Sequence, residues 1–323
     1  MIPEPGATGA GYAKMAARAD IRIGTSGWTY KGWRGEFYPK GLPQKRELAY
    51  ASRQCNALEI NGTFYGMQRP AAFAVWAEAV PEDFVFAVKG SRYITHMLKL
   101  KDVETAVANF FASGPLALGE KLGPILWQFP PQLRFNAERF EAFFKLLPRD
   151  TEAAARIGRK HDHRLKAPAY LRPGRKRPVR HAVEIRHDSF RDEAFIALLR
   201  RYDIALVCAD TVDWPLLMDL TTDFVYCRLH GSRELYNSGY TSDELDDWAD
   251  RVERWASGRT MTDGEFITPV VRDHRRREVF LFFDNTDKLK APGDARGLMR
   301  RLGIERETGD GRSYQDRDRR LGL

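Results

Sequence analysis

Residues 224–231 read FVYCRLHG, an apolar run that carries Arg228 and His230 two positions apart. In an extended strand, residues i and i+2 share a face. Tyr226, Arg228 and His230 therefore line one side, and Val225, Cys227 and Leu229 the other. A guanidinium beside an imidazole at the end of a buried strand is suited to holding an anion and moving a proton. The pattern recurs along the chain. Glu59 and Asn61 close the run ALEIN, Lys89 closes VFAVK, and Gln128 lies near the end of ILWQFP. Glu184 and Arg186 close HAVEIR, Asp210 closes ALVCAD, and Asp284 and Asn285 close VFLFFDN.

These types define a set of chemical roles. Glu184, Asp210, His230 and Glu59 are the candidates for general acid–base catalysis, with Asp210 or Asp284 orienting His230. Lys89, Arg186 and Arg228 are the candidates to clamp a phosphate or carboxylate, since guanidinium forks match those anions. Gln128, Asn61, His96, Asp284 and Asn285 are further candidate substrate contacts. The loop GTSGWTYKGWRGEFYP at 24–39 is rich in aromatic residues. With Trp28 and Tyr30 from that loop, and Tyr65 and Tyr236 from others, it reads as a wall on which a sugar or base stacks; the alternative is a hydrophobic plug. Acids and bases nearly cancel in this set, so an internal ion-pair network is the structural alternative to a ligand site. Glu184, Asp210, His230 and Asp284 would suit a divalent metal, but the interleaved arginines disfavour one, and no cofactor is expected. GTSG lacks the Lys-Ser/Thr ending of a phosphate loop. No G-x-S-x-G turn and no G-x-G-x-x-G fingerprint is present.

Eight strand-length apolar runs carry these residues, at 21–26, 57–61, 85–90, 125–130, 181–186, 205–210, 224–231 and 279–285. Their Val, Ile and Phe content favours strands. Stretches with apolar residues at helical spacing fall between most of them, at 43–54, 70–79, 102–118, 136–147, 190–202, 241–257 and 292–302. The link between the sixth and seventh runs has room only for a stub of helix around WPLLMDL. Alternating strands and helices predict parallel βαβ units, and eight of them predict an α/β protein with a (β/α)8 TIM-type barrel; a doubly wound open sheet is the alternative. In such a barrel, sites are built at the C-terminal ends of the strands, where these polar residues fall. The organisation expected is a disordered leader at 1–20, one barrel domain at 21–303 and a charged tail at 304–323.

The 323 residues are 43% hydrophobic and 30% charged, as in a soluble globular protein. No run approaches eighteen apolar residues, so no membrane span is expected, and the first twenty residues do not read as a signal peptide. Cys55, Cys208 and Cys227 have no metal-ligand spacing and read as buried reduced thiols, which points to the cytoplasm. The net charge of +8 has one source. Between Arg149 and Arg180 there are eleven Lys/Arg and three acids, so this segment carries the whole excess. It reads as a basic insertion between the fourth helix and the fifth strand, on the side of the barrel opposite the usual site. Its functional reading is a nucleic-acid contact, although Tyr170 is its one aromatic residue and stacking on single strands has little support.

Six motifs carry a family resemblance: GTSGWTYKGWRGEFYP (24–39), LEINGTFYG (58–66), ITHMLKL (94–100), GPILWQFPPQL (123–133), VEIRHDSF (183–190) and YCRLHG (226–231). Together they resemble the bacterial domain-of-unknown-function family 72, also called YecE-like, over roughly residues 20–303. The resemblance implies a TIM-type barrel and no established activity. The chain departs from the family pattern after the eighth strand, where an Asn-Asp pair is usual and this chain has Asn285 followed by Thr286. The reading that results is an enzyme performing acid–base chemistry on a small anionic, sugar- or nucleotide-like substrate, with hydrolase, lyase and isomerase all open. The alternative is a nucleic-acid-binding protein that uses 149–180.

Overall fold

The apolar runs pair edge to edge in chain order. The computed structural model describes residues 21–212, 214–231, 239–284 and 289–306. The strands are β1 (Ile21–Ser26), β2 (Ala57–Ile60), β3 (Val85–Lys89), β4 (Leu122–Gln128), β5 (His181–Glu184), β6 (Ile204–Asp210), β7 (Phe224–Leu229) and β8 (Glu278–Phe283). Each is parallel to the next and β8 pairs with β1, so the sheet closes into a barrel and the open-sheet alternative falls. The expected leader, and all but residues 304–306 of the expected tail, lie outside the described residues.

Local sequence signals start and stop the helices. The α-helices of five residues or more are α1 (Glu47–Ala51), α2 (Pro70–Ala79), α3 (Glu104–Ala112), α4 (Ala137–Leu146), α5 (Thr151–Gly158), α6 (Glu193–Arg201), α7 (Ser242–Ser257) and α8 (Ala291–Leu302), and a single helical turn, Gly62–Tyr65, follows β2. Pro70 opens α2, where its missing N–H costs nothing. The Asn136 side chain caps α4 by accepting from the Arg139 N–H. Thr241, the N-cap of α7, and Glu244 form a capping box, and Gly258 ends the helix with φ 76°.

Three sequence readings need correction. The helical stretch at 102–118 stops at Ala112, because Gly114 takes φ 126° against Pro70, and the chain continues as a 3-10 segment, Pro115–Lys121. Among the described residues, no helix links β6 to β7. The Asp219 carboxylate instead accepts from the Ile267 and Thr268 N–H groups at 2.8 and 2.9 Å, tying that link to the segment before β8. The basic insertion does not stay on the far side of the barrel. It opens as α5, whose N-cap Asp150 accepts from Ala153 N–H, and then runs past α3, where Asn109 donates to Asp162. Residues 164–168 reach Met67, Gln68 and Arg69, in the loop after β2, and with them line a groove of about 430 Å³ on the C-terminal side. The segment then returns, and Arg180 closes the opposite end, 5.0 and 4.9 Å from the Phe224 and Phe280 rings and 2.7 Å from Glu278.

Two apolar cores result. The larger lies between barrel and helices and takes the outward residues, including Val225, Cys227 and Leu229. All three cysteines are free and buried. The smaller fills the barrel, with Ala57, Ala87, Ala182, Ala205 and Ala209 on several strands and Phe224, Tyr226, Phe280 and Phe282 on β7 and β8. Small residues on one side leave room for long side chains from β7 to cross the lumen. Gly24 on β1 belongs to this economy of space, since a Cβ there would lie 1.7 Å from the Ala57 carbonyl oxygen. Gly24→Ala is expected to break the β1–β2 register and lower Tm by roughly 5 °C or more. A melt matching wild type would show that this contact yields without cost.

Candidate functional site

The inward parity of each strand ends in a polar side chain at the C-terminal rim. Ser26, Glu59, Lys89, Gln128, Glu184, Arg228 and His230 are all buried there, at 8% exposure or less. Arg228 has no exposure at all and stands at the centre. Its Nε donates to Glu59 Oε2 at 3.1 Å, and Nη2 donates to Glu59 Oε1 at 3.0 Å. Nη1 donates to Glu184 Oε2 at 2.7 Å, and Nη2 also reaches Asp284 Oδ2 at 2.5 Å and Ser26 Oγ at 3.4 Å. One cation thus gathers three carboxylates from β2, β5 and the end of β8.

The carboxylates are held from their other sides as well. Tyr226 donates its hydroxyl to Glu59 Oε2 at 2.6 Å, and Ser26 donates to Oε1 at 3.0 Å. Glu184 Oε1 accepts from Gln128 Nε2 at 2.9 Å and from Arg186 Nε and Nη2 at 3.0 and 2.7 Å. Burial pushes the Glu184 carboxyl up, but Arg228 and then Arg186 outweigh it and hold the group well below the usual carboxylate range. The same acids hold the Arg228 guanidinium charged against its burial.

The remaining bases behave differently. The Lys89 ammonium sits 4.4 Å above the Phe64 ring and, among the described residues, has no carboxylate within ion-pairing distance. Burial, and then the Arg228 charge, lower it to about 8. His230 lies 3.5 Å from Asp284 Oδ2 and 3.9 Å from Glu184 Oε1, yet burial and the Arg228 charge lower it to about 4. His96 is carried by a π-helical turn, Tyr93–Met97, and meets Phe64 edge to face with centroids 5.1 Å apart. Burial, then Lys89 and Arg186, bring it to about 4. Left-handed Lys99, Leu100 and Asp102 follow that turn, and strained backbone of this kind clusters at functional sites.

A profile of the family described as protein of unknown function DUF72 matches residues 22–318. The chain belongs to the DUF72 family. A DUF72 family protein of Thermotoga maritima, known from its crystal structure, is 25% identical; the alignment covers 88% of this chain and 99% of that one, with a TM-score of 0.66. A DUF72 family protein of Enterococcus faecalis, at 17% identity and a TM-score of 0.61 over 88% and 96% of the two chains, shares the fold. The UPF0759 protein YecE of Escherichia coli K12 is 27% identical over 143 residues, which is 38% of this chain and 50% of that relative. The chain therefore spans about half the length of the curated relatives it matches.

Within this DUF72 barrel, Glu59, Lys89, Gln128, Glu184, Arg228, His230 and Asp284 converge, with Arg186 at the rim. Asn61 sits beside them, its Oδ1 buried without a hydrogen-bond partner. Asp210 does not join them. The inward residues of β6 are Ala205, Val207 and Ala209, so Asp210 has outward parity and accepts from Tyr240 Oη at 2.9 Å and Trp248 Nε1 at 3.1 Å. It cannot orient His230 through its side chain; Asp284 is the acid beside that ring. Arg228 is not an open anion clamp, because the three carboxylates occupy its donors. Nor do Trp28 and Tyr30 form a stacking wall. Trp28 packs edge-on against Trp76 at 5.5 Å, and Tyr30 packs on Trp33 at 4.8 Å while donating to the Ser26 carbonyl. Tyr65 is 69% exposed, with the Arg92 guanidinium 5.5 Å from its ring. Tyr236 and Asn285 lie outside the described residues. Sequence reasoning did not assign Ser26, Tyr226 or Phe64 to the site. The i, i+2 rule points to the first two; nothing in the sequence brings Phe64 to Lys89.

Among the described residues, no group of three His, Cys, Asp or Glu is arranged to hold a metal ion; the acids converge on a guanidinium. Arg228→Met should cost about 3–5 kcal/mol in urea unfolding, since it strands three buried carboxylates; a loss under about 1 kcal/mol would mean the acids relax into water. The histidines set the acid response. Burial lowers His181 to about 3, against the hydrogen bond its ring donates to the Pro148 carbonyl at 2.8 Å, and its Nδ1 accepts from Trp127 Nε1 at 3.1 Å. Below about pH 6.5 the unfolded chain takes up protons that folded His96, His181 and His230 refuse. Stability is therefore expected to fall steadily from about pH 6.5 to about pH 4, and His230→Gln should flatten that fall. A urea midpoint constant over this range would show that the folded protein accepts those protons.

Proposed function

We propose that this protein is an enzyme that performs proton-transfer chemistry on a small anionic substrate at the C-terminal mouth of the barrel. The observation that carries the reading is the polar layer at that mouth, above an apolar lumen. Arg228 uses its donors to fix Glu59, Glu184 and Asp284, which leaves Lys89 and His230 next to charges that cannot move. Such preorganised charge is what a developing transition-state charge needs. Lys89, at about 8, exchanges its proton near neutral pH, where an acid–base group works best. His230 stays uncharged and hydrogen-bond competent. Arg186, with 32% of its side chain exposed, is the cation placed to meet a phosphate or carboxylate from solvent.

A second reading rests on the groove between 67–69 and 164–168, where Arg69, Arg164 and Lys166 bring part of the basic insertion to the mouth side. That placement favours an extended polyanion such as a nucleic acid over a contact confined to the far side. Several of the insertion's other cations pair with acids of the same chain: Lys176 with Asp150 and Glu152, and Arg175 and Arg177 with Glu120. The small-anion reading is therefore preferred.

A thermal-shift series with inorganic phosphate, sugar phosphates, small carboxylates and a short oligonucleotide tests both. A small anion should raise Tm by mass action, and Arg186→Gln and Lys89→Met should each abolish the rise. The ligand-free melt separates binding from folding. Between about pH 8 and 10.5 the unfolded chain holds the Lys89 proton and the folded chain does not, so stability climbs with pH in that window and the full cost of the charge is present below it. Lys89→Met is thus expected to raise the ligand-free Tm at pH 7 by about 2–4 °C. A shift produced by the oligonucleotide alone, and lost at higher salt, would move the function to the groove.

A further inference from the structure

Lys89 differs from the two arginines that converge with it at the mouth. Arg228 and Arg186 are both tied to Glu184, whereas the Lys89 amine makes no ion pair among the described residues and rests on an aromatic face. Lys89 as a whole is 8% exposed. Phe64 organises the surroundings. Its ring carries the amine on one face and meets the His96 imidazole edge-on, which sets a half-buried imidazole on the same aromatic platform as the amine. Thr95 Oγ1 lies 2.9 Å from His96 Nδ1 and fixes the ring's orientation. Thr63 Oγ1 donates to the Lys89 carbonyl at 2.6 Å, pinning the backbone from which the amine projects.

We propose that Lys89 is a nucleophile that condenses with the carbonyl group of a small anionic aldehyde, ketone or 2-oxo acid to form an imine. The proposal rests on the enzyme reading of this mouth and names its substrate class. The neutral amine nitrogen attacks the carbonyl carbon, and the C=O π pair moves to oxygen. That oxygen gains a proton and the nitrogen loses one, giving a carbinolamine. A second proton on the hydroxyl lets it leave as water while the nitrogen lone pair forms C=N, and the resulting iminium then gives up its remaining N–H proton. Amine and carbonyl thus give imine and water with no net redox change. His96, uncharged and packed on the same Phe64 ring as the amine, is assigned the taking and returning of these protons, and Arg186 the holding of the substrate anion. A lysine in an apolar setting beside another cation is the environment that activates amines for this chemistry, and its lowered proton affinity agrees with this.

The test is reductive trapping on the full-length protein. Formaldehyde with cyanoborohydride at pH 7 reads the amine alone, and pyruvate or glyceraldehyde 3-phosphate with the same reductant reads the anionic carbonyl; peptide mass mapping locates the adduct. Lys89 should be methylated at least about tenfold faster than Lys99 and Lys101, which are exposed lysines. Its rate should inflect near pH 8, and the anionic carbonyls should label it preferentially. Lys89→Arg should remove that adduct and no other. Methylation of Lys89 no faster than of Lys99 overturns the proposal. Fast methylation without any trapping of pyruvate or glyceraldehyde 3-phosphate overturns the anionic-carbonyl assignment. If small anions still raise Tm when Lys89 traps nothing, the imine falls and the enzyme site stands; if they do not, both fall.

Discussion

A guanidinium buried in the lumen of a barrel has to be neutralised, and Arg228 meets that demand by drawing Glu59, Glu184 and Asp284 to itself. Much of the site's geometry follows. The three acids come from distant positions in the chain, and one planar fork sets their separation. Taken singly, each would be costly to bury; together they are charge-compensated and hydrogen-bonded. Tyr226, one step below on the same face of β7, braces Glu59 from the lumen side. The alanines of β2, β3, β5 and β6 leave the width these side chains need. The polar layer and the apolar filling below it are thus one packing solution.

Charge balance in that layer decides which groups remain chemically available. Arg228 is fully engaged and Arg186 folds back on Glu184. Lys89 lies close enough to feel Arg228 but forms no pair of its own, and both nearby histidines are kept uncharged by burial and by the cations around them. The geometry places some of the candidate residues in an ion-pair network and leaves others at its border. Glu59, Glu184, Asp284 and Arg228 form the network. Lys89, His230, His96 and Arg186 border it, and burial and the neighbouring cations lower the proton affinity of Lys89 and of both histidines.

The rest of the chain closes and orients this arrangement. Arg180 stoppers the opposite end of the barrel against Phe224 and Phe280. The first loop, which looked suited to stacking a ligand, packs its aromatic residues on one another: Trp33, Phe37, Tyr38 and Tyr50 form a chain of edge and tilted contacts. The basic insertion has two parts, one paired with acids near the barrel floor and one delivered to the mouth-side groove. No helix among the described residues is long and apolar enough to cross a membrane.

Sequence by itself determined the eight strands, their order and the face each side chain takes, because apolar runs and period-two alternation are local properties. It also placed Glu59, Lys89, Glu184, Arg228 and His230 at one end of the barrel, since the C-terminal rim of parallel strands is a position in the chain as well as in space. The same rule, applied to the Ala205–Val207–Ala209 face, would have turned Asp210 outward. Which charges meet was decided only by the tertiary structure. Arg228 lies 169 residues from Glu59 and 44 from Glu184, and their pairing depends on barrel closure, lumen width and the reach of one guanidinium. Closure also seats the Lys89 amine on Phe64 beside His96, and folding of the insertion carries 164–168 back to the mouth. These are contacts between elements, and no periodicity within one element encodes them.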